Sequence, residues 1–165
     1  GLLGSFSRLG GSVFVHRRGA YGLRTDLRAL AGVMRTGMTV CLFPEATSSD
    51  GTGLLPFRSA LIEAAKEADK EAVPLCLKYA RINGLVPDKK DLGRVCFTGR
   101  EKFLLHLNGL LKQRSISVHL EFFPPIEVSI LGRRETARQA FQCIQDAFNG
   151  TKAGGNVSQS EHCLP

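Results

Sequence analysis

Apolar positions along the chain repeat at two spacings, near two residues and near four, and the switches between them mark out the elements. Ser12–Arg17 carries the β-branched and aromatic residues of a strand. Met38–Phe43 is a continuous apolar run that predicts a buried strand, Val73–Tyr79 is another, and Arg94–Thr98 a short one. Ser115–Phe123 reads as a last strand, stopped by Pro124-Pro125. Between them the spacing turns helical. Leu27, Leu30, Ala31 and Met34 form one stripe, with Thr25 as N-cap, Asp26 in the first turn and Gly37 as C-cap. Arg58–Asp69 places Leu61, Ile62, Ala65 and Ala68 inward, and Glu101–Lys112 does the same with Phe103, Leu104, Leu107 and Leu111. Arg133–Phe148 carries Ala137, Ala140, Phe141, Ile144 and Phe148 as a core stripe.

Gly1–Leu9 reads as a helix end or a loop entering the sheet, Arg18–Gly22 as a glycine-punctuated loop, and Ala80–Leu92 as an exposed loop. Strands alternating with helices predict an α/β fold with a largely parallel sheet flanked by helices. Residues 1–149 make one domain, and residues 150–165 a polar tail expected to be disordered.

Composition narrows the partners. Hydrophobic residues make up 43% and charged residues 22% of 165, which suits a globular core. The net charge of +7 favours anionic partners: nucleic acid, phosphorylated metabolites or an anionic membrane surface. With two Tyr, no Trp and no basic run interleaved with aromatics, nucleic acid is disfavoured. Cys41, Cys76, Cys96, Cys143 and Cys163 show no metal-ligand spacing. The first three sit in apolar runs, read as small core residues, and point to a reducing compartment. No apolar stretch is long enough to span a bilayer, and no signal peptide is visible. The first residue is Gly1 rather than a methionine, and the expectation is a fragment lacking an N-terminal part.

The stretch with the most chemistry is Phe43-Pro44-Glu45-Ala46-Thr47-Ser48-Ser49-Asp50-Gly51, a strand end delivering a proline, a carboxylate, hydroxyls and an Asp-Gly turn. Phe43-Pro44-Glu45-x-Thr47-x-Ser49 resembles the Phe-Pro-Glu-Gly-Thr-Arg-Ser signature of the glycerolipid acyltransferases, the lysophosphatidic acid acyltransferase family. Gly11-Ser12-Val13-Phe14-Val15-His16-Arg17 resembles that family's Gly-x-x-Phe-x-x-Arg block, and Val73-Pro74-Leu75 its Val-Pro block. The three stand in the family's order, and the resemblance fades after about Pro125. It implies an acyltransferase-like α/β fold that moves a fatty acyl group from acyl-CoA or acyl-carrier protein to a lysolipid hydroxyl. It also implies membrane association on the cytoplasmic face, with no metal and no bound cofactor.

The resemblance implies acceptor binding by Arg17 and Glu45, with Ala46, Thr47, Ser48 and Ser49 completing the loop. The hydroxyls could donate to ligand oxygens or close the turn on their own backbone; both readings stand. The family's catalytic His-x-x-x-x-Asp does not occur in this chain, and its place falls before Gly1, so the fragment alone is expected to be inactive. His16, His106 and His119 read as structural. Arg17, Arg18, Arg24, Arg28 and Arg35 could face lipid headgroups or form a solvated face. Two departures matter. Ala46 replaces the family's glycine, making a positive φ costly there, and Ser48 replaces its arginine, removing a cation for an acceptor phosphate. They point away from lysophosphatidic acid toward an acceptor such as a lyso-ornithine lipid. A non-catalytic lipid- or phosphate-binding module is the alternative class. A nucleotide-binding domain is disfavoured, because no glycine-rich phosphate loop follows a strand.

Overall fold

The stripe Leu27, Leu30, Ala31 lies buried along α1 (Ala20–Arg35) in the computed structural model, which describes residues 12–13, 15, 20–99 and 102–150. α1 begins before Thr25, so Thr25 and Asp26 fall inside it, whereas Gly37 ends it as expected, with φ 87° and its N–H donating to the Met34 carbonyl. The helix expected over 58–69 is cut short at both ends. It is a 3₁₀ turn, Ala60–Ile62, leading into α2 (Glu63–Glu67), and the chain turns out at Asp69 with φ 53°. The Arg35 guanidinium donates to the Glu67 carbonyl and ties the ends of α1 and α2 together.

The strand pair is β1 (Leu75–Ile82) and β2 (Ile116–Phe122), antiparallel, with Leu77 opposite Leu120 and Tyr79 opposite Val118. Between them run α3 (Lys89–Val95) and α4 (Phe103–Leu111). α5 (Val128–Gly150) follows, bent at Gly132 where φ is 74°. α3 lies in stretches read as loop and short strand. Asp88 starts it with a capping box, its carboxylate accepting from the Asp91 amide at 2.8 Å.

The class is α/β, a mixed helix-and-strand arrangement, but a parallel sheet is not formed among the described residues, whose sheet has two antiparallel strands. Residues 38–43 belong to no strand, yet from 39 on they keep the two-residue alternation: Val40 and Leu42 pack inward, while Thr39, Cys41 and Phe43 are exposed. Periodicity reports that a stretch has two faces, and pairing needs a neighbouring edge as well. Cys41 is for that reason exposed rather than a core residue. The α4 stripe is also corrected. Leu104 and Leu111 face solvent, and His106 is the buried residue of that helix. Gly1–Leu9 and the tail from Thr151 lie outside the described residues.

The core is a helical layer beneath one face of residues 38–43 and the strand pair. Leu27, Leu30 and Ala64 join Val13, Met34 and Val40; Ile62, Val128 and Ala137 join Leu42 and Phe57. Cys76, Ile144 and Phe148 join Leu54, Phe57 and Phe123, so Phe57 belongs to two clusters. It also meets Phe141 edge-on, with ring centroids 5.2 Å apart. Lys78 donates to the Phe148 carbonyl at 3.0 Å, where a cation suits the last turn of α5. The opposite face of the ribbon is bare: Leu77, Val118, Leu120 and Phe122 are exposed.

Truncating Ile144 to alanine opens the cluster that α5 forms with Cys76. The unfolding free energy should fall by about 2–4 kcal/mol, read from the urea midpoint. An unchanged midpoint would refute the packing of α5 against β1.

Candidate functional site

The Phe43–Gly51 signature folds as a closed loop between residue 43 and Arg58. Pro44 takes the first corner of a turn, in which the Ala46 amide donates to the Phe43 carbonyl at 3.1 Å. The Arg58 amide donates to the Pro44 carbonyl at 2.8 Å and closes the loop at its base. Glu45 spans the interior, its Oε2 accepting from the Leu55 amide at 2.8 Å. A half-buried loop needs partners for its backbone groups, and the carboxylate supplies a charge-assisted one.

Ala46 has φ 57°, the left-handed conformation whose cost the sequence anticipates for alanine at this point. Further on, Ser49 Oγ accepts from the Gly51 amide at 3.3 Å, and Asp50 Oδ1 accepts from the Thr52 amide at 3.1 Å and its hydroxyl at 2.6 Å. The Thr52 hydroxyl first, then the Thr52 amide, and Lys89 at 4.0 Å hold the Asp50 carboxyl below its ordinary value. Gly51 has φ 74° and sits against α3: a Cβ there would lie 2.6 Å from the Cys96 sulfur. Only glycine satisfies both demands.

Six residues were nominated for acceptor binding. Arg17 lies outside the described residues. Glu45 and Ser49 are engaged within the loop, Ala46 is its strained corner, and Thr47 and Ser48 stand exposed at its tip. The Thr47 and Ser48 hydroxyls have no hydrogen-bond partner among the described residues. Of the two readings for the hydroxyls, turn closure holds for Ser49, and the outward pair is free to meet a ligand. Sequence reasoning missed Lys89, Leu92 and Cys96, which approach the loop from α3 across some forty residues of chain. No local pattern signals such a contact.

The described histidines and buried cysteines sit in packed or strand-paired positions. His106 is buried, its Nε2 3.3 Å from the Val95 carbonyl and its ring tilted against Phe97 at 5.2 Å. His119 pairs with Lys78 across the ribbon, and His16 lies outside the described residues. Burial first, then the Asp50 charge, push the Cys96 thiol up, and burial raises Cys76, so both stay protonated thiols at neutral pH. Among the described residues no three His, Cys, Asp or Glu gather where they could hold a metal ion, and no helix is long and apolar enough to cross a membrane. An open groove of about 410 Å³ lies at the loop's base, with Pro56 and Phe57 on one side and Arg134, Arg138 and Phe141 on the other.

The loop thus joins a proline corner, a bracing glutamate and outward hydroxyls in one closed turn. Residues 1–78 match the family model described as Acyltransferase. The chain belongs to the glycerolipid acyltransferase family. It is 34% identical to the lyso-ornithine lipid O-acyltransferase of Pseudomonas aeruginosa, over 92% of this chain and 56% of that protein. Against the enzyme of the same name from Brucella abortus it is 31% identical, over 84% of this chain and 53% of the relative. The 1-acyl-sn-glycerol-3-phosphate acyltransferase of Neisseria gonorrhoeae is 35% identical, over 47% of this chain and 31% of its own length. The chain thus spans about half the length, or less, of these curated relatives. No solved structure matches it.

The loop's two special corners should respond with opposite signs. Ala46→Gly relieves the left-handed strain at a smaller cost in chain entropy and should stabilise by about 0.5–1 kcal/mol in denaturant melts. Gly51→Ala meets the Cys96 sulfur at positive φ and should destabilise by about 1–3 kcal/mol. Stabilisation by both would refute this backbone geometry.

Asp50 gives a pH signature. A carboxyl depressed on folding contributes stability above its ordinary value of 3.8 that is lost as pH falls through its lowered folded value. Asp50→Asn should therefore make the acid limb of the stability profile shallower below pH 3.8.

Proposed function

We propose that the chain is part of an O-acyltransferase that moves a fatty acyl group from a thioester donor, acyl-CoA or acyl-carrier protein, to the hydroxyl of a lysolipid. In that reaction the lysolipid oxygen bonds to the acyl carbon, the carbon–sulfur bond breaks, and the hydroxyl proton ends on the departing thiol. A base is needed for that proton. This chain holds no His-x-x-x-x-Asp, so the reading places the base elsewhere in the whole protein. It also has residues 38–43 pairing there into a parallel sheet, and the enzyme working at the cytoplasmic face of a membrane. No metal or resident cofactor enters the scheme.

The observation that carries the reading is the loop itself. Its glutamate is consumed in holding the backbone, and Thr47 and Ser48 are the groups turned outward. Short neutral hydroxyls suit an acceptor whose polar head is recognised by hydrogen bonds rather than by a cation. Arginine at 48 would instead offer a bidentate site for phosphate. A lyso-ornithine lipid, which has no phosphate, fits that loop better than lysophosphatidic acid does. Two relatives matching along most of the chain are named for that acceptor.

Acceptor competition in the whole protein tests this. Lyso-ornithine lipid should be acylated in preference to lysophosphatidic acid, and Ser48→Arg should raise kcat/KM for lysophosphatidic acid by about 10–100-fold, the worth of one charged hydrogen bond. A wild-type preference for lysophosphatidic acid would sink the acceptor assignment, and failure to acylate any lysolipid would sink the function.

A further inference from the structure

Two antiparallel strands need only a short turn to connect them. β1 and β2 are instead joined by residues 83–115, which leave the ribbon and return to it at one point. Asn83 gathers both ends there: its amide donates to the Ser115 carbonyl at 2.8 Å, and its Oδ1 accepts from the Arg114 amide at 2.8 Å. At its head, Asn83 and Gly84 take φ 53° and 85°, a turn that presents Leu85 and Val86 to solvent. The crossover then packs on itself. Val95 and His106 are buried among its described residues, and Phe97 stacks edge-on with Phe103 at 5.6 Å.

Its outer surface is apolar and cationic together. On α4, Leu104 is 69% exposed, Leu105 63% and Leu111 76%. Leu104 and Leu111 stand seven residues apart and so share one helical face. Lys102 precedes the helix and Lys112 and Arg114 follow it, while residues 102–115 contain no acidic residue. Between 81 and 99 the basic residues are Arg81, Lys89, Lys90 and Arg94, against Asp88 and Asp91. Both carboxylates are engaged in the α3 cap, and Asp91 also in a pair with Arg94. With Arg81 of β1 included, these described residues carry a net charge of +5, against +7 for the whole chain. A groove of about 340 Å³ between α3 and α4 has Lys112 on its rim.

Leucines exposed on one short helix, bracketed by Lys and Arg with no acid among them, match an anionic bilayer surface: apolar chains below, phosphates above. A protein groove would give the leucines a partner but leave the cationic bracket unexplained. We propose that the β1–β2 crossover is a membrane-docking element, with Leu104 and Leu111 entering the lipid interface and Lys102, Lys112 and Arg114 resting on anionic headgroups. The crossover touches the signature loop through Lys89–Asp50 and Cys96–Gly51, so it would hold that loop beside the surface from which a lysolipid arrives. The inference deepens the reading of the site as a lysolipid acceptor site and rests on it.

The chain contains no tryptophan, so one introduced indole reports its own surroundings. Leu104→Trp and Leu111→Trp are each mixed with phosphatidylcholine vesicles with and without phosphatidylglycerol, and with vesicles brominated along the acyl chains. Blue-shifted emission quenched by bromine, stronger with phosphatidylglycerol, is the expected result. Ile130→Trp, on α5 and outside the crossover, should show neither effect. Replacing Lys102, Lys112 and Arg114 together by glutamine should lower vesicle partitioning of the Leu104→Trp protein by about a hundredfold. Emission unchanged by vesicles, or changed equally by pure phosphatidylcholine, overturns the proposal. So does a blue shift that appears without lipid as protein concentration rises, which would make α4 a contact between copies. Vesicle binding is read without acyl transfer; a protein that docks this way but acylates no lysolipid would refute the proposed reaction and leave the docking element standing.

Discussion

The signature loop depends on closure at its base, where the Arg58 amide reaches back to the Pro44 carbonyl. That bond sits next to Phe57, whose ring is shared between two core clusters, so one edge of the loop is fastened to the core. Glu45 adds a second tie at Leu55, and Gly51 fits a third place where only hydrogen can stand against the Cys96 sulfur. With these points held, the tip residues Thr47 and Ser48 face outward on a fixed frame. A ligand meeting them finds little ordering entropy still to be lost.

The distribution of apolar surface follows from a single helical layer. α1, α2 and α5 cover one side of residues 38–43 and the ribbon, and the other side is left with Phe43, Leu77, Leu120 and Phe122 in the open. The exposed leucines of α4 are a separate case. They lie on an excursion with its own small packed centre and a cationic border. Exposed apolar area of this extent marks contact surfaces.

The turn geometry of the loop and the C-terminal end of α1 were legible in the sequence because they are local. Gly37 closing α1, the Asp50-Gly51 turn, the strain at Ala46 and the extent of β2 each depend on a few adjacent residues and their φ preferences. The α/β class and the stripes of α1 and α5 were equally readable. What the pattern misread was direction and pairing. The α4 stripe has the right period but faces out, because the crossover turns His106 rather than the leucines toward α3. The run 38–43 has the composition of a buried strand but meets no partner among the described residues, which leaves Cys41 exposed. Glu45, a ligand group by the sequence resemblance, accepts in the structure from the Leu55 amide ten residues on, a tie no local pattern signals.

By itself the sequence determined the family, the alternation of elements and the backbone demands of the signature loop, since these are carried by residue types at short spacing. Only the tertiary structure decided that β1 and β2 pair antiparallel, that α3 supports the loop across distant chain, and that the cationic charge gathers around exposed leucines. Those outcomes depend on which surfaces meet after collapse, a question settled by packing over long sequence separations that no local pattern encodes.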